Sequence, residues 1–146
     1  MYWSSIAVAT TFTWLGMVLA ISFIEAPLKF RAPKVTLQIG LGVGRLVFRA
    51  LNSAEVALTL ILLVALVMSR PPMFAVAALG VAVAMLVTQI AGVRPFLAKR
   101  SDAVLADPDG GVGLKRSKAH FAYSGLEIIK VSALVVGGFA LLAGWS

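Results

Sequence analysis

The chain has 146 residues, 60% hydrophobic and 13% charged, with a net charge of +7 and a mean hydropathy of +0.98. A soluble domain carries about 25% charge, so this is the composition of a membrane protein; at about 20 residues per span there is room for at most about four or five spans and no separate soluble domain. With no cysteine, disulfides, thiolate metal sites and thiol chemistry are excluded, and a single histidine excludes a multi-histidine metal centre.

Four apolar blocks separated by charge predict an all-α, integral membrane four-helix bundle forming one domain over residues 1–146. The first span is expected at about 4–24. It lacks the positive n-region and cleavage pattern of a signal peptide and is read as a retained helix. The connection 25–47 opens with Pro27, Pro33 and three basic residues, an interfacial elbow from which Leu28 and Phe30 dip into the headgroups. The second span is expected at about 48–69. A single helix from Thr36 to Ser69 would run roughly 50 Å, well beyond a hydrocarbon core of about 30 Å, so either it projects into the cytoplasm or it breaks near Gly40, Gly42 and Gly44; a break or a short interfacial helix is the favoured expectation. A third span at about 73–93 follows the short link at Arg70. The connection 94–119 contains Asp107-Pro108-Asp109-Gly110-Gly111, a solvated turn without the ligand spacing of a calcium loop, and leads to the fourth span at about 120–143.

Ten of the thirteen Lys and Arg lie in the two long connections, and Arg49, at the start of the second span, makes eleven on that side. The positive-inside bias therefore places those connections in the cytoplasm and both termini outside, with Tyr2, Trp3 and Trp145 at the outer interface. The localisation this implies is the cell's inner or plasma membrane. No aromatic residues interleave with the basic ones, so nucleic acid is not an expected partner.

The informative residues are the polar ones inside the spans. Arg45, Arg49, Asn52 and Glu55 recur at spacings of 4, 3 and 3 on the second helix; His120, Ser124 and Glu127 recur at 4 and 3 on the fourth, with Lys130 three further on. Glu25, Gln89 and Arg94 add polar groups at the same level. Ionisable groups near the bilayer centre cost about 2.5–3.5 kcal/mol each even on lenient scales, so they should pair. Depth matches Lys130 with Glu55 and Glu127 with Arg49 or Arg45, while Asn52 and Ser124 satisfy leftover groups. Such a network either locks helix register or lines a cytoplasm-facing cavity. The count of Arg45, Arg49, Arg94, His120 and Lys130 against Glu25, Glu55 and Glu127 leaves a cationic surplus suited to an anionic small molecule or lipid headgroup. Gly40 and Gly44 read first as a small-residue packing face and second as anion-binding backbone at a helix start. No cofactor is expected; His120 is more suited to interfacial hydrogen bonding than to ligating a haem.

The order Trp14-Leu15-Gly16, Ser22-Phe23, Phe30-Arg31, Leu46-Val47-Phe48, Arg94-Pro95-Phe96-Leu97-Ala98-Lys99-Arg100 and Tyr123-Ser124-Gly125-Leu126 resembles the small four-helix membrane family typified by transmembrane protein 205. That resemblance implies a fold and topology but no defined activity. The stretch from Arg45 through Arg49 and Asn52 to Glu55 is similar to the second-helix signature of the membrane-associated eicosanoid and glutathione enzymes. This likeness implies trimers, and arginines that hold the carboxylates of glutathione. The expected function is therefore that of a homo-oligomeric, non-enzymatic membrane protein whose buried polar cluster binds or passes an anionic molecule, headgroup or ion. The alternatives are a glutathione-type transferase and an accessory subunit of a larger membrane complex.

Overall fold

The structure is a computed structural model that describes residues 2–93, 95, 99, 102, 106 and 118–144, apart from the side chains of residues 93 and 118–122. Among these residues the chain is all-helical. Four helices, α1 (Tyr2–Val18), α2 (Leu37–Ser69), α3 (Met73–Thr88) and α4 (Lys118–Gly144), form the bundle. Each belongs to a helical stretch long and apolar enough to cross a membrane.

α1 does not end where its apolar run ends. It passes into a π-helical turn, Leu19–Glu25, then a single α turn, Ala26–Leu28, and a 3-10 turn, Lys29–Arg31. The cause is Pro27. In a regular α-helix its ring collides with the carbonyl four residues back and its missing N–H leaves that carbonyl unpaired. The π turn changes the register before Pro27 is reached: the Ala26 N–H donates to the Ile21 carbonyl, five residues back. The elbow expected from residue 25 onward is therefore helical as far as Arg31. The chain turns at Ala32, whose ψ of 140° is the extended conformation imposed by the following Pro33, and at Lys34, with φ of 67°. α3 ends in the same way, with a π turn, Gln89–Val93, just ahead of Pro95.

α2 corrects a second expectation. Its 33 residues run unbroken through Gly40, Gly42 and Gly44, giving a helix roughly 50 Å long at 1.5 Å per residue. Thr36 caps it, its Oγ1 accepting from the Ile39 N–H at 3.1 Å. The glycines keep helical geometry because their missing side chains are used: the Phe30 ring fills the space a Cβ would take at Gly40, and the Lys29 ammonium does so at Gly44. Phe30 thus packs on α2 while staying partly exposed, and Leu28 is exposed. At the far end Arg70 closes α2 in the left-handed region, its N–H donating to the Leu66 carbonyl at 3.0 Å, before Pro71 and Pro72 redirect the chain into α3.

α1 packs on α2 and α4, and α4 packs on α3, whereas α2 and α3 touch sparsely. Two ends can be distinguished: an elbow end, with Lys29–Arg31 and the start of α2, and a terminal end, with the start of α1, the end of α4 and the Arg70–Pro72 turn. The half toward the terminal end is dry. Ala7 of α1, Leu62 and Ala65 of α2, Ala75 and Leu79 of α3, and Leu134 and Leu141 of α4 are fully buried there. Gly137 lets α4 close on Leu79, where a Cβ would fall 2.6 Å from Cδ2, and Gly138 accepts the Phe12 ring.

Candidate functional site

Midway along the bundle the apolar core gives way to charge. Glu55 and Lys130 are 0% exposed and Glu127 2%. Lys130 Nζ donates to Glu55 Oε1 at 2.5 Å and to Gln89 Oε1 at 2.8 Å. It also lies 2.5 Å from Glu127 Oε1 as an ion pair without hydrogen-bond alignment. The ammonium has three donors, and three acceptor oxygens from α2, α4 and the π turn after α3 surround it. Buried side chains of opposite charge hold such positions only with this degree of compensation.

α1 completes the hub from the fourth side. The Trp14 indole N–H donates to Glu55 Oε1 at 2.9 Å, and the Ser22 hydroxyl donates to Glu127 Oε2 at 2.8 Å. Gln89 is held in turn by a long bond from its Nε2 to the Tyr123 carbonyl, 3.4 Å. Ser22 and Gln89 both sit in π turns. In each case the wide turn that accommodates a downstream proline also delivers a polar side chain to the charged centre, and π turns recur at functional sites for this kind of reason.

Among the described residues, two carboxylates meet one ammonium here. The other polar residues expected at the site lie apart from this contact set. Arg45 pairs with Asp102 at 2.6 Å on the exposed surface. Arg49 and Ser124 are exposed, so the expected pairing of Glu127 with Arg49 or Arg45 is replaced by Lys130 and Ser22. Glu25 faces Lys29 at 3.7 Å, and the Lys29 ammonium stands 5.5 Å from the ring centres of both Phe30 and Phe48. Asn52 is buried one turn before Glu55. Arg94, the His120 side chain and the turn at 107–111 lie outside the described residues. Of the cations counted from the sequence, Arg45 and Arg49 thus fall outside the hub, because helix phase turns them away from the face that carries Glu55.

Two hub residues, Trp14 and Ser22, were not among the expected site residues. Trp14 carried a usable signal. A tryptophan in mid-span, away from the interfacial belts, brings an indole N–H that needs an acceptor when buried, and the acidic residues within the other spans were the available ones. Ser22 carried none, since a serine in a helix satisfies itself on its own backbone, as Ser53 and Ser132 do here.

The hub is also asymmetric along the bundle. Toward the terminal end the last buried polar side chains are Thr10, Thr11 and Thr59, and beyond them the buried residues are apolar. Toward the elbow end stand Ser22 and Glu25, both partly exposed, with Asn52 and Gln89. The partly exposed polar residues nearest the hub thus lie on the elbow side, and the apolar half lies on the other.

A helical bundle with four candidate membrane spans built around a buried Glu/Lys cluster defines the class: an α-helical membrane protein with charged residues in its interior. No protein-family model matches the chain, and neither curated proteins nor solved structures yielded a similar protein.

Proposed function

We propose that the protein is a multi-pass protein of the inner or plasma membrane, with both termini extracytoplasmic, whose hub takes up and passes a small cation from the elbow side. The observation that carries this reading is the excess of carboxylate over ammonium at the point where all four helices meet. An interior charge in a membrane protein marks a pathway or a binding site by default, and the excess of carboxylate over ammonium among the described residues favours a positive guest. The anionic guest expected from the sequence finds no cationic surplus at the hub among the described residues.

An anionic reading applies instead to the elbow end, where the exposed Arg45 and Arg49 lie on the third and fourth turns of α2. There a lipid headgroup is a fitting partner, by charge attraction at the surface. Glutathione chemistry of the kind the second resemblance implies would need these arginines inside the bundle, so a transferase is the weaker alternative. A homo-oligomer is consistent with the sparse α2–α3 contact but is not required by the hub.

The test is proton and sodium flux in proteoliposomes carrying an internal indicator, driven by an imposed potassium diffusion potential. The wild-type protein is expected to dissipate the ion gradient faster than empty vesicles, and Glu127→Gln to return it to the level of empty vesicles. Equal rates for wild type, Glu127→Gln and empty vesicles would overturn the reading.

A further inference from the structure

We infer that the elbow, residues 26–31, is a lid on the hub: seated on α2 it shuts the elbow side to water, and lifted it opens that side. This rests on the uptake reading above and names what controls entry. The seat lies on one face of α2. Gly40, Gly44, Phe48, Leu51 and Glu55 follow one another at spacings of 4, 4, 3 and 4, a single helical stripe, so the line that ends at a hub carboxylate begins at the two glycines. Side chains of the elbow cover its outer part. The Phe30 ring takes the place of a Cβ at Gly40, and Lys29 Nζ lies 2.8 Å from where a Cβ of Gly44 would be; both glycines are buried as a result. Lys29 also reaches inward. Its ammonium is 5.5 Å from the centre of the Phe48 ring, and Phe48 meets Tyr123 of α4 edge-on at 5.8 Å, so the elbow closes against two helices.

The contacts that seat the elbow can be broken and remade. Among the described residues, Lys29 and Phe30 meet α2 through ring packing and an ammonium beside a ring, with no side-chain hydrogen bond to it. The carboxylate partner of Lys29, Glu25 at 3.7 Å, belongs to the chain just before the elbow and not to α2. Phe30 is 41% exposed, so its ring rests in the recess at Gly40 without being enclosed.

The flanks of the elbow are the irregular parts of the chain. On one side is the π turn Leu19–Glu25. On the other is Lys34, whose φ of 67° is a left-handed conformation that a side chain other than glycine holds only when its surroundings impose it. The seated elbow supplies that constraint, and lifting relaxes it. The π turn also ties the lid to the hub. Ser22, Glu25 and Lys29, spaced by 3 and 4, form a partly exposed inner edge, while Phe23, Ile24 and Leu28 are exposed. Ser22 at the head of that edge donates to Glu127 Oε2 at 2.8 Å, so movement of the elbow is passed directly to a hub residue.

Hydrogen–deuterium exchange of the Trp14 indole N–H, followed by NMR on the full chain in lipid nanodiscs, tests the lid. That proton is donated to Glu55 at 2.9 Å by a side chain with 0% exposure, and it exchanges only when the site opens to water. Phe30→Ala, which empties the seat, and Gly40→Leu, which fills it, are each expected to speed the exchange by about tenfold or more through easier local opening. Backbone amides of the dry half, at Leu62 and Leu79, should keep their rates. Locking is the converse. The chain has no cysteine, so Phe30→Cys with Gly40→Cys, joined by a short reducible bis-thiol reagent, pins the elbow and is expected to slow the exchange below the wild-type rate until the reagent is reduced. The inference is overturned if the single variants exchange at the wild-type rate, if the dry-half amides speed up in step with the indole, or if the lock has no effect. Phe30→Ala only deletes atoms from a partly exposed ring and keeps the test decisive if Gly40→Leu fails to fold. The flux assay answers separately: exchange under the lid's control without flux removes ion passage and leaves the lid, whereas flux unchanged by the lock removes this inference alone.

Discussion

The two halves of the bundle share the same four helices and are held in different ways. Toward the terminal end, α1, α3 and α4 close on one another through Ala7, Ala75, Gly137 and Gly138 with leucines between them. Toward the elbow end, contact is made by directional polar groups: Lys130 against Glu55, Glu127 and Gln89, with Trp14 and Ser22 behind. Close packing tolerates regular helices, and there all four are regular. The polar centre draws on irregular ones: π turns follow α1 and α3 on its elbow side, where a widened backbone delivers Ser22 and Gln89. In lipid, where the hydrophobic effect does not drive helices together, both routes are open, small-residue contact and interhelical hydrogen bonds. Only the polar route leaves behind chemistry.

The largest effect should come from breaking the polar centre. Lys130→Met strands two carboxylates in the interior and is expected to destabilise the protein by about 3–5 kcal/mol, the range for removing one partner of a buried pair, read from thermal unfolding in detergent. Adding Glu55→Leu removes one stranded charge and should return part of the loss. Additive single and double variants would mean that Lys130 and Glu55 are not coupled. Trp14→Phe follows. It keeps an aromatic ring but removes the pyrrole half of a fully buried indole together with one hydrogen bond to a carboxylate, so a loss of at least about 1.5–3 kcal/mol is expected, and a smaller loss in a Glu55→Gln background.

The dry half should respond to volume and not to charge. Gly137→Val adds carbon atoms where Leu79 already sits and is expected to cost about 1–3 kcal/mol by overpacking, with no dependence on salt. Leu79→Ala in the same chain should relieve it. If Gly137→Val alone is neutral, the α3–α4 contact is looser than its geometry.

How far the sequence disclosed these two halves follows from what each depends on. The four spans were legible because apolar runs near 20 residues have no other reading at this hydropathy, and Lys130 meets Glu55 as matching depth on two helices suggested. Helix phase was the weak point. Spacings of 3 and 4 place Arg45, Arg49, Asn52 and Glu55 within one broad stripe, but the stripe is wider than the face that enters the bundle, and the arginines lie on its exposed side. The π turns were illegible because Pro27 and Pro95 announce an irregularity without saying whether the chain will bend or widen. The continuity of α2 was misjudged because Gly40 and Gly44 look like breaks until the Phe30 ring and Lys29 are seen filling their space, a contact between segments that no local pattern encodes.

The smallest effect sharpens the comparison from outside both halves. Arg45 and Asp102 make a contact of 2.6 Å, as short as those in the hub, yet their side chains are 43% and 62% exposed. Distance alone would rank this pair with Lys130 and Glu55. Environment ranks it far lower, because water screens both charges and ordering two mobile side chains offsets most of the attraction, leaving about 0.2–1 kcal/mol for an exposed pair. Arg45→Ala is therefore expected to lower stability by less than about 1 kcal/mol, with the difference shrinking further as salt shortens the Debye length from about 10 Å at 0.1 M to about 3 Å at 1 M. Lys130→Met measured over the same range should keep its full cost, since salt does not reach a group with no exposed surface. A salt-insensitive loss of several kcal/mol for Arg45→Ala would mean that the elbow end is as dry as the hub, and the division of the molecule into a screened end and a buried centre would have to be redrawn.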